Sequence, residues 1–371
     1  MKSCLALAVS LALLAVPAAA AETSRHRSQD HDFKLVTLAE DLSHPWSLAF
    51  LPDGAFLVTE RGGTLWRLNG GERQRVVGVP EVAAVGQGGL LDLALHPDFA
   101  TNRWLYMTYS VRQGRGYATQ LARGRLNGTQ LTDLQVLLET NSVTTTTRHF
   151  GSRLQFGSDG LLYMTIGDRG DSDLAQDLSN HIGSVLRVNE TGGVPEDNPF
   201  VGPDSPHPEI YSYGHRNPQG LTRHPETGAI WAVEHGPRGG DELNLIQSGG
   251  NYGWPVITHG RAYSGLPIGE GKEKEGMAQP VAHWVPSISP SGMAFYSGDE
   301  FADWRGSLFV GALSGERLAR LEIEGDKLVG EEHLLKDLGD RIRDVRQGPD
   351  GRLYLLTDAD DGRLLRIEPV W

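Results

Sequence analysis

The chain has 371 residues, 39% of them hydrophobic and 22% charged, with 47 Gly and 20 Pro. The apolar content argues against disorder, the glycine count favours many tight turns over long helices, and the glycines lack the three-residue period of collagen. With 34 Lys+Arg against 47 Asp+Glu the net charge is -13, which opposes affinity for phosphate backbones, so nucleic acid is not an expected partner.

In chain order, the first element is Met1-Lys2 followed by an apolar run from Leu5 to Val16, closed by Pro17 and the alanines Ala18 to Ala21. That is the pattern of a secretory signal, and the run is too short to span a bilayer comfortably. We expect residues 1–21 to be removed and 22–371 to form the mature, periplasmic or secreted domain. The only cysteine, Cys4, lies in the signal, so disulfides do not hold the mature chain and no lipid-anchoring cysteine stands at the cleavage point. No later run is long and apolar enough for a membrane-spanning helix. The polar stretch from Thr23 to Asp32 reads as a flexible lead-in.

One phrase then recurs: a short apolar strand, a turn such as Pro-Asp-Gly, and a second strand. The first copy is Trp46 to Phe50, Pro52-Asp53-Gly54 and Ala55 to Thr59; the second is Leu91 to Leu95, His96-Pro97-Asp98 and Trp104 to Tyr109. Next come Arg153 to Phe156 with Leu161 to Ile166, and Gly220 to Thr222 with Ala229 to Glu234. Gly292 to Tyr296 with Ser307 to Ala312 and Ile342 to Arg346 with Arg352 to Thr357 complete the set. Copies spaced by roughly 40 to 75 residues predict an all-β fold, a six-bladed β-propeller of four-stranded antiparallel blades. A sandwich with recurrent Asp-Gly hairpins does not require the same order six times. The segment from Ile257 to Pro280 is too polar for a blade interior and is expected to form a long loop over one face.

No Gly-x-Ser-x-Gly elbow, His-Glu-x-x-His or Walker loop is present. Gly86-Gln87-Gly88 opens like a dinucleotide fingerprint, but Leu91 occupies the third glycine position. The acidic loop Asp168, Asp171, Asp173 and Asp177 lacks EF-hand spacing; solvated turn residues and a metal site account for it equally. His44, His96 and His224 sit in turns or before prolines, where a structural role is expected, whereas His149 stands at a blade entry. Gly214-His215-Arg216-Asn217-Pro218-Gln219-Gly220 precedes the fourth copy, and Glu234 to Glu242 follows its second strand. Such loops offer carbonyls to a hard cation and side chains to an anion. Arg341 and Arg343 alternate at the start of the last copy, a pair that is either solvated or a receptor for carboxylates.

At these residues the chain resembles the secreted quinoprotein sugar dehydrogenases that use pyrroloquinoline quinone (PQQ), the soluble glucose and aldose sugar dehydrogenase family. The matching phrases include Gly86 to Leu91 with His96-Pro97-Asp98-Phe99, His149 to Leu154 with Ile166-Gly167-Asp168, and Gly214 to Leu221. Glu234 to Glu242, Asn251 to Pro255 and Arg341 to Val345 follow in the same order. The resemblance implies a six-bladed propeller and a PQQ- and calcium-dependent oxidoreductase that converts aldoses to lactones and passes electrons to an external acceptor. It assigns His149 as general base and cofactor contact, Arg216 as a catalytic cation that stabilises charge on the quinone oxygen, and Gln87, Arg216 and Asn217 as contacts to the quinone. It assigns Arg341 and Arg343 to the PQQ carboxylates, the carbonyls of Gly236 and Pro237 to calcium, and Glu242 and Tyr252 to a further, structural calcium. The sequence departs from the glucose dehydrogenase branch at Ser314, where that branch has a lysine near the cofactor, and is closer to the aldose branch. A metal-dependent lactonase would need a carboxylate and amide cluster at a central cation; a non-catalytic binding propeller would have no evident need for His149, Arg216 and a paired-arginine strand together.

Overall fold

The computed structural model describes residues 23–370, so the signal sequence and its cleavage point lie outside the described residues. Six antiparallel sheets are arranged as blades, each starting with one of the six copies. The innermost strands are Pro45–Phe50, Leu90–Leu95, Leu154–Phe156, Pro218–Arg223, Pro290–Phe295 and Ile342–Gln347. Each touches the corresponding strand of both neighbours, which closes the ring. Five blades are four consecutive strands. The sixth is completed from the other end of the chain, because Asp32–Leu42 pairs with Gly362–Pro369 in the register Leu35 to Ile367 and Val36 to Arg366. Joining the two ends in one sheet leaves no open seam in the ring.

The expected lead-in is corrected here. Thr23–Arg27 is a strand that pairs with Asp32–Leu42, Thr23 opposite Val36 and Arg27 opposite Asp32, and makes the last blade five-stranded. Its sequence has no apolar alternation and its residues are mostly exposed, so its order comes from backbone pairing that local pattern does not announce. The segment between Leu245 and Ala282, including the expected long loop, contains no named strand and crosses from the third to the fourth strand of its blade.

The core lies in the seams between blades. Leu57, Leu65, Leu93 and Met107 join the first blade to the second, and Tyr163, Val185, Leu221 and Ala232 join the third to the fourth. Tyr296, Trp304 and Phe309 of the fifth blade meet Phe33, Leu353 and Ile367 of the sixth. Burial of such large side chains stabilises by about 1.5–3 kcal/mol each, and no blade could obtain it alone. Buried hydroxyls bolt the second strand of one blade to the first strand, or its entry, of the next: Thr59 Oγ1 donates to Leu91 O (2.7 Å), Thr108 Oγ1 to Ser152 O (2.7 Å) and Thr165 Oγ1 to Pro218 O (3.1 Å).

The axis is plugged by charge. Arg153, buried beneath the Trp46 ring at 4.1 Å, donates to Asp344 Oδ1 (2.8 Å), Gln219 O (2.6 Å) and Arg343 O (2.9 Å). Arg346 bonds Asp92 Oδ1 (2.7 Å) and Asp344 Oδ2 (2.9 Å), and Ser47 Oγ donates to Asp92 (2.5 Å). Two cations and two anions therefore neutralise one another, with Arg153, Asp92 and Asp344 almost wholly removed from solvent. Gly292 is required beside them, because a Cβ there would stand 2.2 Å from Asp344 Oδ1.

Candidate active site

One mouth of the axis opens into a cavity of about 280 Å³, close to the lower end of the roughly 300–1,000 Å³ usual for small-molecule sites. Its walls come from the entries to first strands, which supply Trp46, Gln87, His149, Arg216 and Arg343, and in four of the blades from the end of the second, which supplies Arg61, Gly236, Leu313 and Asp358. The loop expected to cover one face contributes Tyr263. Eight of the ten residues assigned from sequence meet here: Gln87, His149, Arg216, Asn217, Gly236, Pro237, Arg341 and Arg343. Glu242 and Tyr252 lie outside it.

His149 is held by its own backbone and by a carboxylate. Its N–H donates to Gln87 Oε1 (2.7 Å), its φ is 56°, and its carbonyl lies where a Cβ on Gly167 would come within 2.2 Å. Only glycine fits at 167. The imidazole Nδ1 lies 2.6 Å from Asp168 Oδ1. Asp168 also accepts from Gly170 N–H (2.7 Å) and from Trp254 Nε1–H (2.9 Å). With the carboxylate as acceptor, Nδ1 carries the proton and Nε2 keeps its lone pair. Burial, reinforced by the charges of Arg216 and Arg148 and opposed by Asp168, holds the His149 pKa below the usual histidine range. Burial works against the Asp168 charge, but the His149 and Gly170 hydrogen bonds outweigh it and keep its pKa low. The group facing the cavity is thus a neutral imidazole of fixed tautomer, equipped to accept a proton. Asp168, which the sequence left between a solvated turn acid and a metal ligand, is its positioning residue; the only signal for that role was its place in the phrase Ile166-Gly167-Asp168.

The cations are arranged differently. Arg216 N–H donates to Glu234 Oε2 (2.6 Å), which fixes its backbone, and its Nη1 donates to His235 O (3.0 Å) and Gly236 O (2.6 Å). Its Nε is buried and has no partner. Arg343 bonds Gln219 Oε1 (3.0 Å) and Asp358 Oδ2 (2.7 Å), while its Nε is also buried and unpartnered. Arg341 reaches the same Asp358 oxygen at 3.6 Å. Burial opposes the Asp358 charge, but Arg343, His44 and Arg341 hold its pKa far below the carboxylate range. Buried unmet guanidinium donors are costly, and an anionic ligand with several acceptors would satisfy them. That is the fit the cavity offers to a polycarboxylate such as PQQ. His235, neutral because burial and then the charges of Arg216 and Arg343 push its pKa down to about 3, completes the wall.

For a hard cation the fit differs between two places. Glu234 and Glu242 face each other across paired strands, and Asn244 Nδ2 donates to both (3.0 and 3.3 Å) while its Oδ1 is buried without a partner. Burial and the Glu234 charge push the Glu242 pKa up to about 8. Two carboxylates suit calcium, and the Asn244 oxygen would join them once the amide turns over, since its nitrogen faces the carboxylates. The Tyr252 hydroxyl is committed to Leu245 O (2.5 Å) and Gln247 N–H (2.9 Å), with its ring on His215, so its main-chain oxygen is what it could lend a metal. At the cavity, an ion held by Gly236 O would have to share that oxygen with Arg216.

A separate cluster, His181, His207 and Glu209, gathers metal-ligating atoms within 4.8 Å of one another. Asn141 N–H donates to His181 Nδ1 (2.8 Å), so Nε2 carries the proton that His181 gives to Glu209. A metal at Nε2 would force a protonated Nδ1 against that N–H, and the cluster is a closed hydrogen-bond relay instead.

Known proteins resemble this chain along most of its length. The Glucose / Sorbosone dehydrogenase family profile matches residues 42–366. Aldose sugar dehydrogenase YliI of Escherichia coli K12 is 45% identical over 340 residues, 90% of this chain and 92% of that one. Quinoprotein glucose dehydrogenase B of Acinetobacter calcoaceticus is 29% identical over 94% of this chain and 91% of its own. The PQQ-bound form of aldose sugar dehydrogenase from Streptomyces coelicolor superposes with a TM-score of 0.74 at 31% identity, covering 95% of this chain and all of that one.

Proposed function

Because the chain belongs to the glucose/sorbosone dehydrogenase family, we propose that it is a PQQ- and calcium-dependent oxidoreductase that oxidises aldoses at C1 to lactones. The observation that carries this reading is the meeting, in one cavity, of a neutral oriented imidazole with buried guanidinium donors that lack acceptors. PQQ, when bound, supplies the acceptor for the C1 hydride. His149 Nε2 takes the proton of the C1 hydroxyl, and Asp168 stabilises the imidazolium that results without moving. Arg216 would supply positive charge to the reacting quinone; Gln87 and Asn217 line the same cavity; Arg341 and Arg343 would take up its carboxylates.

Calcium has two roles in this proposal. Near the cavity, the Gly236 and Pro237 carbonyls would hold it against the cofactor. Away from it, the Glu234, Glu242 and Asn244 cluster with the Tyr252 carbonyl would hold a structural ion whose charge relieves the repulsion recorded in the raised Glu242 pKa. The leader-like residues 1–21 support export to the periplasm or beyond, and electrons would pass to an external acceptor. The test is reduction of an artificial dye by purified protein supplied with PQQ and Ca²⁺ across a panel of aldoses. Aldose-dependent reduction that needs both additions is expected; no activity and no thermal stabilisation by PQQ would sink the proposal.

A further inference from the structure

One cation in the cavity has no assignment from motif or resemblance. Arg61 follows the second strand of the first blade, Phe56–Glu60, and lines the cavity. Its backbone is fixed at the seam between blades: its N–H donates to His44 O (3.1 Å) and its carbonyl accepts from Leu90 N–H (3.1 Å). Gly89 lies directly against that carbonyl, and a Cβ there would stand 1.8 Å from Arg61 O. The guanidinium is unlike its backbone. Among the described residues it forms neither an ion pair nor a hydrogen bond, although the residue is only partly exposed.

Its neighbourhood gives that free charge a direction. His44, whose carbonyl anchors Arg61, uses its ring Nδ1 to hold Asp358 at 2.8 Å, and Asp358 is the carboxylate shared by Arg341 and Arg343. Arg61 is therefore linked to the arginine pair through His44 and Asp358, across the seam between the sixth and first blades. Asp358 cancels one charge of that pair, so the two arginines bring one net positive charge to the cavity. Ser314 brings none; its hydroxyl lies 2.8 Å from the Oγ of Ser289 in the cavity wall. A polycarboxylate seated on Arg341 and Arg343 would be undercompensated at this side unless another cation contributed.

We propose that Arg61 is a further cofactor-binding residue, a third guanidinium of the carboxylate clamp formed with Arg341 and Arg343. The proposal rests on the PQQ reading, and the experiment separates the two. PQQ is titrated by fluorescence quenching, with Ca²⁺ present, into the wild type, Arg61→Ala and Arg61→Lys at low and high salt, and sugar KM and thermal midpoint are measured in parallel. Arg61→Ala is expected to weaken PQQ binding by about 10- to 100-fold with an unchanged thermal midpoint, the value of a lost charge-assisted hydrogen bond. Its affinity should also depend less on salt. Arg61→Lys should recover part of the loss, since the charge returns without the planar fork. Wild-type affinity in Arg61→Ala overturns the assignment, and does so equally if sugar KM rises, because Arg61 then contacts substrate. If the wild type itself does not bind PQQ, the cofactor reading fails and this proposal falls with it.

Discussion

Two sets of arginines sit within the same ring of inner strands and are treated in opposite ways. At the axis, Arg153 and Arg346 are held by Asp92, Asp344 and backbone carbonyls, and neither keeps a buried donor without an acceptor. Three residues before Arg346 in sequence, Arg343 keeps a buried Nε without an acceptor, as does Arg216. The first set resembles a structural ion cluster, whose members are costly to remove because their partners would be left charged in a dry interior. The second withholds part of its hydrogen bonding for something not contributed by the chain. The difference between structural and ligand-directed arginines is thus a matter of satisfied acceptors and not of burial, since both sets are largely removed from solvent.

That contrast can be broken by paired substitutions. Arg153→Met leaves Asp92 and Asp344 short of a partner and should destabilise the fold by about 3–5 kcal/mol in denaturant unfolding. Arg343→Met should cost markedly less stability yet weaken PQQ binding. Equal stability losses in the two variants would erase the distinction. A smaller effect follows from His235, whose pKa the cavity cations help push down to about 3 from 6.5. The unfolded chain takes up this proton as pH falls below the ordinary histidine value, whereas the folded chain does so only near 3. Stability therefore declines with falling pH through that window, by at most about 1.4 kcal/mol per pH unit for one proton. His235→Gln, which can still donate to Pro290 O, should flatten that slope; an unchanged slope would mean His235 titrates normally.

The parts of this architecture that were readable from sequence are those under two constraints at once. The inner two strands of every blade are buried on both sides and bounded by tight turns, so Leu162–Ile166 and Leu353–Thr357 announce themselves. Outer strands such as Glu72–Val76 are largely exposed, and Thr23–Arg27 carries no pattern, so their pairing depends on the assembled ring. In the site, His149 and the arginine pair stood out because their residue types are unusual at blade entries. Asp168 and Asp358 did not, since an aspartate ending a strand looks like a solvated turn until the fold brings His149 or Arg343 against it. Arg61 was invisible for the same reason: its free head group is a property of the cavity and not of its neighbours in sequence.

The central claim is that His149 serves as the base for sugar oxidation and does not primarily hold the cofactor. The most direct measurement loads wild type and His149→Gln with PQQ and Ca²⁺, mixes each with excess aldose in a stopped-flow instrument and follows the cofactor absorbance. Comparable PQQ affinity with cofactor reduction slowed by about 10²- to 10⁴-fold in the variant is the predicted result. Reduction at the wild-type rate in a variant that still binds PQQ would contradict it.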